Sequence, residues 1–340
     1  GVVIAVAGSY GKTTVKELLG TILSEGKDVA VTPANKNVAV SHAQFARKLT
    51  GKEDILVIEY GEGKPGDVAR FSATTRPNIG IITGLAPAHL DKYKTLDAAA
   101  QDILSLSDAV GPDHTYVNGD SLPLKPYIQS AFHAYTSVGV LGWKVSNINI
   151  QPNGMTFSMK KGVETLRLET DLIGRHLIGP IALCVTIAHN LGLTKKQIEQ
   201  GVAKTVPFEH RMEPRSLGGA WVIDDTYNGN LEGIRAGLEL LADLPAKRKM
   251  YVTPGLVDQG AEAERVHKAM GELIAKCNPD KVVLMQNSVT NWIRAGLEKH
   301  GFSGELIIQD DPLYFYTNLD QMVAAGDVVL MQNDWTDNYN

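Results

Sequence analysis

After Gly1 the chain reads VVIAVAGSYGKTTVKELLGTIL, and this opening stretch constrains the fold more than any other. Val2 to Ala7 is uncharged, β-branched and alanine-rich, which predicts a buried strand. Gly8, Ser9, Tyr10 and Gly11 form a glycine-bounded turn, followed by Lys12, Thr13 and Thr14. Val15, Leu18, Leu19, Ile22 and Leu23 then recur at helical spacing, so a helix begins where the turn ends. Strand, glycine turn and helix N-terminus are the context in which backbone N–H groups and the helix dipole cradle an anion. The strict phosphate-loop pattern would place glycine where Val6 stands. Lys12 still reaches the outer phosphates of a nucleotide, and Thr13 still offers its hydroxyl to Mg²⁺. The alternative is a tight strand-to-helix turn with a surface lysine.

At 340 residues the chain is too long for one ordinary core, so two domains are expected. Its composition, 44% apolar and 21% charged, is that of a soluble globular protein. The net charge of −5 gives no basic footprint for nucleic acid, no apolar run approaches membrane-spanning length, and no signal peptide is read. Cys184 and Cys277 lie far apart in apolar helical patterns and are expected to be buried thiols in a reducing, cytoplasmic compartment. Gly1 directly precedes a core strand, from which upstream sequence is expected.

Strand and helix patterns alternate from the start, which predicts an α/β domain with a largely parallel sheet. Strands are expected at 2–7, 28–31, 54–59, 78–82 and 114–118, with helices at 13–25, 41–50, 66–73 and 95–109. Residues 143–170 alternate polar and apolar, with turn signals at Pro152-Asn153-Gly154 and Lys161-Gly162, and read as an antiparallel excursion. Helices at 180–192 and 195–204 follow. A second α/β unit begins near 209, with strands AWVIDDTYN, KMYVTP, KVVLM, ELIIQ and DVVLM and helices at 231–243, 261–276 and 289–299. The expected hinge is VPFEHRMEP, bracketed by Pro207 and Pro214.

Glu59 ends the strand DILVIE, and His89 and Asp91 follow the strand NIGII. Ligands of open α/β sheets sit at that carboxyl edge, so Thr13, Glu59 and His89 could hold one or two Mg²⁺ ions against a triphosphate. Each also has a bland reading, Glu59 as a surface acid and His89 as a helix cap. In VIDDTYNGN, Asp225 could accept hydrogen bonds from a ribose with Tyr227 and Asn228 near a base, or the run could be an Asx turn capping the next helix. Arg211 could pair with a phosphate or be a solvated charge, and His267 on a mostly polar helix reads as a surface residue.

GSYGKTTVKELL, VIEYG, ITGLAPAHLDKY, LIGRHLIGPIALCVTIAHNLGLT, HRMEP and DDTYNGNLEGIRAGLELL occur in the order found in Mur ligases, which the chain resembles over nearly its whole length. The resemblance implies a central ATP-binding domain at 1–208, a smaller Rossmann-like carboxy-terminal domain at 209–340, and a UDP-substrate domain absent from these residues. It implies an ATP-dependent amide ligase working through an acyl phosphate. By DDTYNGN and TPGLVDQG the implied reaction is the addition of D-alanyl-D-alanine to a UDP-N-acetylmuramoyl-peptide in peptidoglycan precursor synthesis. Gly8 to Thr14, Arg211, Asp225, Tyr227 and Asn228 would bind ATP, Lys12 would screen the transferring phosphate, and Thr13, Glu59 and His89 would hold Mg²⁺. The implied partner is a nucleotide-sugar peptide, and the chain is expected to be a monomer. Mur ligases carry a carbamoylated lysine on the helix after the histidine; here Ile103 stands near that place, with Asp102 or Asp108 as electrostatic substitutes. Leu177 and Pro180 replace two asparagines of the family pattern, and MQNDWTDNYN stands where a KGS loop is usual. Two other functions stay open: a related ligase acting on another carboxylate and amine, and an ATP-binding regulatory module without turnover.

Overall fold

The structure, a computed structural model, describes residues 1–34, 36–86, 93–227, 229–257 and 259–333. The chain divides into two compact units, one of residues 1–149, 156–170 and 176–205, the other of 150–155, 171–175 and the residues from Val206 onward.

In the first unit β1 (Val2–Ala7), β2 (Val29–Val31), β3 (Ile55–Glu59), β4 (Ile79–Ile82), β5 (Thr115–Asn118) and β6 (His133–Tyr135) form a parallel sheet in the order β2-β3-β1-β4-β5-β6. β1 lies inside this sheet with Ile4, Ala5 and Val6 fully buried, the environment an uncharged apolar strand requires. The strand order reverses around β1, which makes the carboxyl ends of β1, β3 and β4 a topological switch point. Register sets Val6 opposite Glu59 and Ala7 opposite Ile82, so both neighbours end level with the glycine turn.

Helix α1 (Lys12–Leu23) buries Val15, Leu18, Leu19, Ile22 and Leu23, the row its spacing predicts. α2 (Ala39–Ala46) and α3 (Asp67–Thr75) follow β2 and β3. The helix expected at 95–109 is two, α4 (Leu96–Leu104) and α5 (Leu106–Val110). They meet at Ser105, whose hydroxyl donates to the Asp102 carbonyl at 2.6 Å, a local bond that competes with the helical ladder. α6 (Ile178–Asn190) and α7 (Lys195–Ala203) close the unit's helix set. The 143–170 region supplies β8 (Trp143–Gln151), β9 (Gly154–Lys161) and β10 (Glu164–Thr170), which with β7 (Gly139–Val140) form a four-stranded sheet in the order β10-β9-β8-β7, its turns falling at the Asn-Gly and Lys-Gly signals. The three-residue β6 carries too little pattern to be predicted.

In the second unit the sheet order is β11-β12-β16-β13-β14-β15, built from β11 (Glu213–Leu217), β12 (Ala220–Asp225), β13 (Arg248–Thr253), β14 (Lys281–Met285), β15 (Glu305–Gln309) and β16 (Asp327–Gln332). β11 runs antiparallel to β12 and the rest pair in parallel. β11 contains Pro214, which the sequence places in a hinge; at a sheet edge one missing N–H is tolerated. α8 (Leu231–Asp243), α9 (Ala263–Cys277) and α10 (Thr290–Lys299) are its longer helices, with two short ones at Pro312–Thr317 and Leu319–Met322. Both cysteines are free; Cys184 is buried as expected, whereas Cys277, at the end of α9, is only partly so. Among the described residues no helix is long and apolar enough to cross a membrane.

Candidate functional site

The glycine turn is fixed by its backbone. Gly8 has φ 145°, and a Cβ there would lie 2.3 Å from Thr83 Oγ1; Gly11, at φ 79°, caps α1 in the left-handed region. Ser9 N–H donates to Gly84 O at 2.9 Å, and Thr83 N–H donates to Ala7 O at 2.9 Å, which stitches the turn to the end of β4. Tyr10 and Ser121 share a hydroxyl hydrogen bond of 2.9 Å, and the Tyr10 ring packs on Gly84, where a Cβ would be 2.4 Å from it. Lys12 Nζ folds over the turn, donating to Gly8 O at 2.5 Å, with Glu62 Oε1 3.7 Å away. Thr14 is half-buried on the first turn of α1.

Glu59, 1% exposed at the end of β3, collects the next group. Thr13 Oγ1 donates to its Oε2 at 3.1 Å, Asn37 Nδ2 to its Oε1 at 3.1 Å, and the fully buried Lys16 places Nζ 3.4 Å from Oε2. Glu59 N–H donates to Thr32 Oγ1 at 3.0 Å, and the His42 ring bonds Glu59 O at 2.8 Å. Burial holds His42 below the usual imidazole range. Glu62, 8% exposed, is pushed up by burial against the lowering charge of Lys12, with Asp102 adding to the rise. Asp102 accepts from Tyr93 OH at 2.7 Å and from Gly66 N–H at 2.8 Å, while Asp108 is exposed and Ile103 sits in the core. A threonine hydroxyl beside a carboxylate is an all-oxygen donor set that suits Mg²⁺.

Thr13 and Glu59 are thus brought together at the turn, whereas His89 and Asp91 lie outside the described residues. Sequence reasoning missed Lys16, Asn37 and Glu62. One signal was available: Lys16 is one helical turn beyond Lys12.

In the second unit two acids end β12. Asp224 accepts from Thr226 Oγ1 at 2.7 Å, Arg215 at 2.6 Å and the His210 ring at 2.9 Å. Burial pushes its carboxyl up, but these donors outweigh it and hold it below the usual value; the bond to Asp224 raises His210. His210, Glu213 and Asp224 have ligand atoms within 4.8 Å of one another, yet Arg215 and Thr226 already occupy Asp224. Asp225 accepts from Met212 N–H at 3.1 Å and from Gln332 Nε2 at 2.7 Å, and burial pushes it up to about 7. Arg211 stacks on the exposed Tyr227 ring, 4.2 Å from its centre. Asn228 lies outside the described residues; the helix cap of this run is Asn230, which accepts from Gly233 N–H at 2.8 Å. His267 is not at the surface but 0% exposed, because it lies on the Val266–Met270–Ile274 side of α9. Its Nε2 accepts from Leu256 N–H at 3.0 Å and Nδ1 bonds Ala263 O at 2.6 Å, so the ring is neutral and structural.

The family model of the Mur ligase middle domain matches residues 6–188, and that of the Mur ligase glutamate ligase domain matches residues 210–332. The chain is 27% identical over 288 residues to the UDP-N-acetylmuramoyl-tripeptide–D-alanyl-D-alanine ligase of Escherichia coli, covering 83% of this chain and 64% of that protein. It is 28% identical over 288 residues to the protein of the same name from Borreliella burgdorferi, covering 83% and 61%. The chain therefore spans under two thirds of the length of these relatives. Among solved structures it is similar to MurF from Acinetobacter baumannii (TM-score 0.82, 21% identity, 98% of this chain and 73% of that one). It is also similar to MurF ligase from Thermotoga maritima in complex with ADP (TM-score 0.80, 23% identity, 98% and 76%). At these identities the structural likeness is one of fold.

Proposed function

Because this chain belongs to the Mur ligase family, we propose that it forms the catalytic part of an ATP-dependent amide ligase that adds D-alanyl-D-alanine to a UDP-N-acetylmuramoyl-tripeptide. The supporting observation is the junction of turn and sheet: Lys12 over the glycine loop, with Thr13 bonded to Glu59 on the neighbouring strand. In this reading a substrate carboxylate attacks the γ-phosphorus of ATP, giving an acyl phosphate and ADP. The amine of the dipeptide then attacks the acyl carbon, and phosphate leaves. Lys12 neutralises charge on the transferring phosphoryl group, and the loop's N–H groups orient it. Thr13 and Glu59, with His89, would hold Mg²⁺, which when bound screens the outer phosphates. In the second unit Arg211, Asp225, Tyr227 and Asn228 are the proposed nucleotide contacts, and residues 1–208 and 209–340 the proposed domains. The proposed setting is the cytoplasm, where such precursors and ATP meet.

The test is ADP release with ATP and Mg²⁺, with and without UDP-N-acetylmuramoyl-tripeptide and D-alanyl-D-alanine, beside Lys12→Ala. Release that needs both substrates and disappears in the variant supports the reading. Nucleotide binding without turnover on that pair sinks it and points to another carboxylate.

A further inference from the structure

We propose that Gln332 is a positioning residue for nucleotide binding in the second unit, its side-chain amide holding the Asp225 carboxylate in the orientation that accepts both hydroxyls of a ribose. This rests on the reading of Asp225 as a nucleotide contact. Gln332 ends β16, the strand between β12 and β13, and stands opposite Asp225 in the register of the sheet. It is 1% exposed although it is the last residue of its strand, and both polar atoms of its side chain are engaged. Nε2 donates to Asp225 Oδ2 at 2.7 Å and to Gly233 O at 3.0 Å, and Oε1 accepts from the hydroxyl of the fully buried Tyr251 at 3.0 Å.

Three neighbours fix that amide. Gly233 O, on the first turn of α8, can only accept, so the amide nitrogen must lie on its side, and the same nitrogen meets Asp225. Tyr251, from β13, holds the opposite end through its one hydroxyl proton. Gly237, one turn further along α8, makes the room, since a Cβ there would lie 2.3 Å from Gln332 Nε2. An amide held at both ends and walled by a helix cannot turn, so the proton left over from Gly233 points at Asp225 in one direction. Asp225 is tied from its other side as well. Its Oδ1 accepts from Met212 N–H at 3.1 Å, and its backbone carbonyl accepts from Asn333 N–H at 3.1 Å. Each carboxylate oxygen thus has one donor from the protein, which sets the plane of the group and leaves each oxygen a further lone pair. Two oriented acceptors side by side match two adjacent hydroxyls. Gln332 is neutral, so what it supplies to Asp225 is direction rather than charge.

Isothermal titration calorimetry of the full chain with ADP and with 2′,3′-dideoxy-ADP, both in Mg²⁺, provides the test. The wild type is expected to bind ADP about tenfold more tightly than the dideoxy nucleotide, the worth of hydrogen bonds to a charged group. Gln332→Met, an apolar side chain of similar length, is expected to bring the two affinities within about twofold, weakening ADP and leaving dideoxy-ADP unchanged. A loss shared equally by both nucleotides is a general loss of structure and overturns the inference, as does an ADP preference that keeps its wild-type value. Tyr251→Phe removes only the hydroxyl that holds Oε1 and is expected to reduce the preference to about threefold. Should the methionine variant not fold, an unchanged preference in Tyr251→Phe overturns the inference by itself. A wild type that binds both nucleotides equally removes the ribose contact of Asp225 and this inference with it, while the ligase reading at the glycine turn stands. A wild type that binds neither removes all three.

Discussion

Glu59, at the end of β3, has Lys16, Thr13 and Asn37 turned toward its two oxygens, whereas the end of β12 carries two neighbouring acids whose partners drive them apart. Asp224 faces an arginine, a histidine and a hydroxyl, and is held low; Asp225 faces one backbone N–H and one neutral amide, and rises to about 7. Two neighbouring carboxylates at one strand end therefore reach different charge states through what their neighbours donate. The first unit places cations beside its acids, which suits phosphate and metal chemistry. The second leaves Asp225 able to exist uncharged near neutrality.

The largest effect should fall on the glycine turn. Lys12→Ala is expected to lower ADP release about 10³-fold by removing the ammonium that folds directly over the loop. Asp225→Asn in the second unit should cost far less, about tenfold, because Asp225 is already partly neutral at pH 7. Steady-state ADP release with both variants checks the contrast, and equal losses would break it.

Glu59→Gln comes next, read as stability. Lys16 is fully buried, and the substitution leaves Glu17, 3.2 Å away, as its remaining carboxylate. Uncoupling a buried pair is strongly destabilising, and a loss of about 3 kcal/mol in urea unfolding is expected. Glu213→Gln, at the partly exposed edge of the second site, should cost under about 1 kcal/mol.

These contrasts also mark what was legible in the sequence. β1, α1 and α8 could be read because a buried parallel strand is an unbroken apolar run and an amphipathic helix keeps its period. β6 and the Pro214-containing β11 could not, because neighbouring strands rather than local pattern select them. The site divides in the same way. The glycine turn is contiguous and Glu59 follows from its place at a strand end, but Asn37 reaches Glu59 from 22 residues away. His267 misleads because a polar helix hides which of its polar residues lies on the buried row.

A pH series separates the two strand ends. Asp225 has a folded value of about 7 against a usual 3.8, so its contribution to stability is full below about pH 4 and is lost as pH rises through 7. Raised by Asp224, His210 acts in the same direction, its contribution being present below the usual 6.5 and lost above it. Thermal unfolding of the wild type should therefore show a falling component between pH 4 and 8. Asp225→Asn should remove most of it, and His210→Gln only its upper part. A falling component that survives both substitutions would be assigned to Glu62, whose carboxyl burial also raises.

The smallest effect, and the finest test of how the first unit holds its turn, concerns Tyr10. Its ring fills the space above Gly84 and its hydroxyl bonds Ser121 at 2.9 Å, so packing and hydrogen bonding both pin the loop. Tyr10→Phe keeps the ring and removes the hydroxyl, with an expected loss of about 1 kcal/mol and a few-fold rise in the KM for ATP. Ser121→Ala removes the other partner and should lose a similar amount. If the pair acts as one unit, the double variant should lose little more than either single variant, a coupling of about 1 kcal/mol. Losses that simply add would mean that the ring on Gly84 positions the loop alone, and that the first unit's preorganisation is a matter of packing while its charges serve only the ligand.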